Sequence, residues 1–202
     1  VSKEREIDRM KTEFISLASH QLRTPLSAIR WFLEMLIDGD AGELNKEQLE
    51  MINNIEESND RMIDLVNALL NISRIESGRL IIEPEPTDLK HLIEQVVTEN
   101  KPKLKEKEID LNLSIHPQLK KISIDPRLIA EVYNNLLSNA VKYSPKEASV
   151  SIAVSRKEDK ILSRIADTGH GIPEEQQEHV FEKFFRADNI STLDTTGTGL
   201  GL

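Results

Sequence analysis

Phe14-Ile15-Ser16-Leu17-Ala18-Ser19-His20-Gln21-Leu22-Arg23-Thr24-Pro25-Leu26 is the stretch on which the fold turns. Its apolar residues recur at three- and four-residue spacing, which predicts an amphipathic helix. The pattern runs outward in both directions, from about Ser2 to Ile37. Two adjoining apolar stripes result. One holds Ile7, Met10, Phe14, Leu17, Ala28, Trp31 and Met35; the other holds Ile15, Ala18, Leu22, Leu26, Ile29, Leu33 and Leu36. His20 belongs to neither. It shares a polar face with Ser16, Arg23, Ser27 and Arg30, so its imidazole is expected to reach solvent. Thr24 lies one turn further on, within reach of a group attached to His20. Pro25 costs a helix interior about 3 kcal/mol, which suggests a kink or local loosening beside the histidine.

Asp38-Gly39-Asp40-Ala41-Gly42 breaks the pattern as a loop, and a second helix is predicted from about Asn45 to Glu76. Its stripes are Leu49, Ile52, Ile63, Val66 and Leu70, beside Met51, Ile55, Met62, Leu65, Leu69 and Ile72, with Gly78 as a stop. Two such helices form a hairpin that leaves a broad apolar face wet. Pairing two hairpins into a four-helix bundle buries it, so a homodimer is expected. Packing of that face on the second half of the same chain is the alternative.

After Glu83-Pro84-Glu85-Pro86, read as a hinge, the pattern becomes mixed α and β. Thr87 or Asp88 caps a helix through about Thr98. Ile109, Leu111, Leu113 and Ile115 alternate as a strand, and Ile122 and Ile124 form a short second one. Asp125-Pro126 starts a helix running to about Tyr143, whose buried face is expected to be Leu128, Ile129, Val132, Leu136, Ala140 and Val141. Val150, Ile152 and Val154 alternate as a strand with a hairpin partner over 161–166. A helical stretch follows near Glu174 to Phe185. The expected domains are 1–78, a hinge at 79–87, and 88–202.

Composition narrows the classes. The chain has 202 residues, 38% hydrophobic and 30% charged, as a folded, helix-rich protein would. A net charge of -9 argues against a general nucleic-acid binder. With no cysteine, disulfides and thiolate metal sites are excluded, and a reducing, cytoplasmic setting fits. No apolar run approaches the roughly 18 residues of a membrane span, so no membrane contact is expected from these residues. His91, His116, His170 and His179 lack metal-ligand spacing and read as structural or surface groups.

The 14–26 stretch closely resembles the phosphoacceptor box of sensor histidine kinases. That resemblance makes His20 the residue phosphorylated by ATP, its ring nitrogen attacking the terminal phosphorus in line. A neutral imidazole is a competent nucleophile near pH 7. The family commonly carries an acid after this histidine, to orient the ring and take its proton. Here Gln21 can accept a ring N–H but cannot hold a proton, so slower autophosphorylation is expected. Thr24 matches the residue that the family ties to phosphatase activity on its partner.

The second half resembles the same family's ATP-binding domain, an α/β sandwich of the Bergerat type. Glu131, Asn135 and Asn139 recur on one helix face with Lys142 close behind, a stripe that a plain solvated face would also give. Within Asn134-Asn135-Leu136-Leu137-Ser138-Asn139-Ala140-Val141-Lys142-Tyr143-Ser144-Pro145 it looks like the family's N box. The resemblance then gives Asn139 to Mg²⁺, and Asn135, Lys142 and Tyr143 to the phosphates and ribose. Asp167-Thr168-Gly169-His170-Gly171-Ile172-Pro173 resembles the first glycine box, with Asp167 accepting the adenine amino group and Gly169, Gly171 and Ile172 beside the ring. Val180 to Asp188 resembles the F box, in which Arg186 would meet the terminal phosphate. Asn189 to Thr196 is polar and small, as expected of a lid. Gly197-Thr198-Gly199-Leu200-Gly201-Leu202 matches the second glycine box, whose backbone N–H groups would cradle phosphate.

The whole resemblance implies a homodimeric kinase that uses ATP and Mg²⁺ and passes its phosphoryl group to an aspartate of a response regulator. The chain starts inside a charged helix and stops inside a glycine motif, which reads as a fragment with an incomplete ATP-binding domain. The second half alone would suit other Bergerat ATPases such as gyrase B; the histidine-bearing hairpin discriminates. A non-catalytic dimeric scaffold or degenerate kinase is the alternative, favoured by Gln21 and opposed by Asn139, Asp167 and both glycine boxes.

Overall fold

Local chemistry sets the boundaries of the first two helices in the computed structural model, which describes residues 2–78, 80–117, 119, 121–182, 185–191 and 199. Helix α1 spans Ser2–Ile37, and Pro25 is accommodated inside it. Pro25 has no N–H, so the Gln21 carbonyl loses its usual helical donor. Gly39 and Gly42, both at positive φ, carry the loop that follows. Helix α2 spans Lys46–Glu76 and opens with a reciprocal cap. The Gln48 N–H donates to Asn45 Oδ1 at 2.9 Å, and the Asn45 N–H donates to Gln48 Oε1 at 3.0 Å. The chain divides into two units, Val1–Ile81 and Ile82–Leu202.

In the first unit, Leu26 and Leu33 of α1 are buried, as are Val66 and Leu70 of α2. Polar ties join the same two helices. Asn59, 1% exposed, donates from Nδ2 to the Leu26 carbonyl at 3.1 Å, and Arg23 Nη2 donates to Asn67 Oδ1 at 2.7 Å. Arg30 lies 3.6 Å from Asp60. The other stripe stays open. Phe14 is 72% exposed, Leu17 63% and Trp31 57%, and Met51, Ile55 and Met62 on α2 are also exposed. Leu22 and Ile29 are exposed too, so only part of the second stripe is the intrahairpin seam.

In the second unit, β1 (Glu85–Thr87) pairs antiparallel with β3 (Ile122–Ile124) as a two-stranded ribbon. The last residues of the expected hinge are therefore a strand of this unit. Strand β2 (Asp110–Ile115) runs parallel to β4 (Ser149–Lys157), which pairs antiparallel with β5 (Lys160–Asp167), giving the order β2-β4-β5. Helices α3 (Leu89–Glu106) and α4 (Pro126–Lys142) cover this mixed sheet. Ile93 of α3, Leu137 of α4, and Val150 and Ile152 of β4 are the most deeply buried side chains between the layers. The architecture is the expected helical hairpin followed by an α/β sandwich.

Three local expectations are corrected. Helix α3 does not stop near Thr98 but runs through Pro102 to Glu106. Val96, Asn100 and Leu104 continue one buried face across the proline, and burial outweighs the lost hydrogen bond. On α4 the core face is rotated from the expected one: Tyr133 and Leu137 are buried, whereas Val132 is half exposed. The Tyr133 hydroxyl is hydrogen-bonded to Ser163 on β5, which makes its burial tolerable; desolvation raises the tyrosine pKa, and the Ser163 bond opposes that rise. Third, of the helical stretch expected near Glu174 to Phe185, Glu174–His179 is a 3-10 helix and 180–182 is not helical, while 183 and 184 lie outside the described residues; a short α5 (Asp188–Ser191) follows.

Candidate functional site

On the hairpin, α1 carries His20, Gln21 and Thr24, all exposed. Ser19, their neighbour, is buried, so the helix turns its seam away from the imidazole. Arg23, one turn on, is held by Asn67 of α2.

The second candidate site grows from α4. Asp125 caps the helix by accepting the N–H groups of Arg127 and Leu128 at 3.1 and 3.3 Å, and it also accepts the Glu83 N–H at 3.0 Å. The Glu83 N–H is the main cause that holds this carboxyl below the usual range, aided by Leu128 and Arg127. So fixed, α4 presents exposed Glu131 and half-buried Asn135, Asn139 and Lys142 on one side, beside Val132. Lys142 Nζ lies 5.4 Å from the centre of the Tyr143 ring.

Strand β5 delivers the second component. Asp167 ends the strand opposite Val150, and its Oδ1 accepts the Gly169 N–H at 2.9 Å. Thr168 is locked by exchanging hydrogen bonds with the Ser149 backbone. The His170 N–H then donates to the Tyr143 carbonyl at 3.1 Å. A Cβ on Gly169 would lie 2.6 Å from that carbonyl oxygen and 2.7 Å from Asp167 Oδ1. No side chain fits there. Gly171 takes φ +65°, which favours glycine.

A third segment clasps this loop. Asn189 Nδ2 donates to the Gly171 carbonyl at 3.1 Å, and Gln177 Nε2 donates to the Ile172 carbonyl at 3.1 Å. Gln176 and Asp188 exchange two hydrogen bonds across the same junction. Half-buried Arg186 lies in this segment. Asn139, Lys142, Tyr143, Asp167, Gly169, Gly171 and Ile172 thus lie on segments of one unit that are hydrogen-bonded to one another, and Arg186 lies in the segment that clasps the loop. Asn135 stands one turn back on α4. Gly199 has φ +67°, whereas Gly197, Thr198 and Leu200, with most of the expected lid, lie outside the described residues.

Sequence reasoning missed the residues that hold the loops. Lys107 Nζ donates to three carbonyls at the end of α4, those of Val141, Lys142 and Ser144. Nothing local marks it among Lys101, Lys103 and Lys105. The bonds of Gln176 to Asp188 and of Asn189 to the Gly171 carbonyl were equally invisible, because each partner lies more than ten residues away. Among the described residues no cluster of His, Cys, Asp or Glu could hold a metal ion. No helix there is long and apolar enough to cross a membrane.

Comparison with known proteins agrees with both halves. The His Kinase A (phospho-acceptor) domain family matches residues 10–78. The Histidine kinase-, DNA gyrase B-, and HSP90-like ATPase family matches residues 124–202. The circadian input-output histidine kinase CikA of Synechococcus elongatus is 34% identical over 95% of this chain and 26% of its own length. The signal transduction histidine-protein kinase BarA of Escherichia coli is 34% identical over 98% of this chain and 22% of its own length. The crystal structure of full-length ShkA in complex with AMPPNP is 26% identical, with a TM-score of 0.74 over 94% of this chain and 38% of that one. The histidine kinase AdeS of Acinetobacter baumannii is 25% identical, with a TM-score of 0.61 over 90% of this chain and 82% of that one. A histidine-bearing hairpin joined to an ATPase-type sandwich defines a kinase catalytic core. The chain belongs to the sensor histidine kinase family, and it spans about a quarter of the length of these sequence relatives.

Proposed function

We propose that the chain transfers the γ-phosphoryl group of ATP to His20 and that the phosphoryl group then passes to an aspartate of a response regulator. The observation that carries this reading is the junction of α4 with the Asp167–Gly171 loop through the Tyr143 carbonyl, in the same chain as an exposed His20. A loop whose Gly169 admits no Cβ, beside a carboxylate at a strand end, suits the edge of a purine. Asp167 would accept the adenine amino group, a step that prefers ATP over GTP, whose ring bears a carbonyl there. Asn135, Lys142 and Tyr143 would lie along the ribose and phosphates, and Arg186 would meet the transferring group. Gly197, Thr198, Gly199 and Leu200 would supply phosphate-binding N–H groups.

The donor chemistry around Asn139 fits Mg²⁺. Neutral amide oxygens suit a hard cation that keeps most of its shell for phosphate oxygens and water. Asn139 would hold it, with Asn135 beside it. When bound, the ion neutralises charge on the phosphates. The protein's own part is positioning, which dominates phosphoryl transfer generally. His20 offers a ring nitrogen from an exposed helix face, and Gln21 can fix its tautomer by accepting the other ring N–H. Thr24 would orient water for dephosphorylation of the regulator.

The open stripe of Phe14, Leu17 and Trp31 supports a homodimer that closes a four-helix bundle. The units would act as a dimerisation and phosphotransfer domain, 1–78, and an ATP-binding domain, 88–202, with motion centred on the turn-rich segment before β1. A reducing, cytoplasmic setting fits a chain without cysteine. Gln21 favours one competing reading, a degenerate kinase that serves as a dimeric scaffold. Incubation of a chain continued past Leu202 with γ-labelled ATP separates the two. Mg²⁺-dependent incorporation of label marks the kinase; its absence at every Mg²⁺ and ATP concentration marks the scaffold.

A further inference from the structure

The last carbonyls of a helix have no partner within it and carry partial negative charge. At the end of α4 they are divided between two elements. The Val141, Lys142 and Ser144 carbonyls accept from Lys107 Nζ at 2.9, 2.7 and 3.0 Å, while the Tyr143 carbonyl is left for the His170 N–H at 3.1 Å. A lysine ammonium has three donors, and all three are used. Its backbone is fixed as well: the Lys107 N–H donates to the Lys103 carbonyl, and its own carbonyl accepts the Glu147 N–H at 3.0 Å. Lys101, Lys103 and Lys105 on the same stretch are exposed, whereas Lys107 is half-buried.

We infer that Lys107 is a positioning residue of the nucleotide site. It draws three carbonyls of the 141–144 turn to one side, so that only Tyr143 O meets the glycine loop and Lys142 and Tyr143 keep a fixed placement. This assignment rests on the nucleotide reading of that turn for its functional consequence, but not for its structural one. Lys107 touches no nucleotide; it acts through the turn. An arginine keeps the charge, yet its planar fork cannot converge on three carbonyls as one ammonium does.

The test compares Lys107→Met, Lys107→Arg and, as a control for general loss of packing, Tyr133→Phe in the chain continued past Leu202. Amide hydrogen exchange reads the turn without any ligand. The expected result is loss of protection at His170 in Lys107→Met, smaller in Lys107→Arg, with β4–β5 amides unchanged; Tyr133→Phe leaves His170 protected. ATP affinity, measured well below each melting temperature, is expected to fall about tenfold in Lys107→Met and to stay near the parent value in Tyr133→Phe. Unchanged His170 protection in both Lys107 variants, or protection lost uniformly across the sheet, overturns the inference. If the parent itself binds no ATP, the nucleotide reading fails separately and the exchange result alone decides the role of Lys107. Should Lys107→Met fail to fold, Lys107→Arg supplies the same two readouts.

Discussion

The Tyr143 carbonyl oxygen accepts the His170 N–H at 3.1 Å and lies 2.6 Å from where a Gly169 Cβ would stand. One atom thus joins the end of α4 to the loop after β5 and forbids a side chain between them. Gly169→Ala must push backbone apart, because neither Tyr143 O nor the Asp167 carboxylate that binds the Gly169 N–H can move freely. ATP affinity is expected to fall at least about tenfold, measured by calorimetric titration, with the far-ultraviolet circular dichroism kept. Parental affinity in that variant would remove the glycine loop from the site.

Gln21→Glu supplies a proton acceptor next to His20 where the amide has none. The initial rate of autophosphorylation is expected to rise about tenfold, below the full range available to general bases, because in the proposed mechanism Gln21 would already orient the ring. A slower variant would refute the role given to this position.

Trp31→Glu places a charge on the open stripe that also holds Phe14 and Leu17, while the seam of Leu26, Leu33, Val66 and Leu70 is untouched. Sedimentation equilibrium is expected to show the dimer dissociation constant raised at least about tenfold, with helicity retained. If the assembly is unchanged, another face closes the hairpin.

Asp125 accepts backbone N–H groups from Glu83 and from the first turn of α4, and these hold its folded pKa below the ordinary value near 3.9. The stabilisation is therefore present above about pH 4 and is lost as pH falls from there through the lower folded value. Asp125→Asn is expected to lower the urea midpoint at pH 7 and to flatten its decline between pH 4 and pH 2.5. A parallel decline in parent and variant would assign the acid sensitivity to other carboxylates.

Much of this was legible because local chemistry agreed with global packing. Asp125 with Pro126 announced a helix start that the cap then made, and the alternation at Val150, Ile152 and Val154 marked the central strand. Val132 and Tyr133 were exchanged because periodicity counts both as apolar; Tyr133 shares the buried face of Leu137, Ala140 and Val141, and Ser163 on a distant strand satisfies its hydroxyl. The helix expected to end near Thr98 runs further because Asn100 and Leu104 beyond it have buried places to fill. The residues of the candidate site lay in recognisable stretches. Those that hold the stretches together, Lys107 and Asn189, bond carbonyls far along the chain and leave no pattern in their own surroundings.

The most direct measurement locates the phosphoryl group. A chain continued past Leu202 is incubated with γ-labelled ATP and Mg²⁺, and the modified peptide is identified by mass spectrometry. The account predicts an acid-labile, base-stable phosphoramidate on His20 that disappears in His20→Ala. Label that survives in His20→Ala, or that resists acid as a serine or threonine ester does, would contradict it.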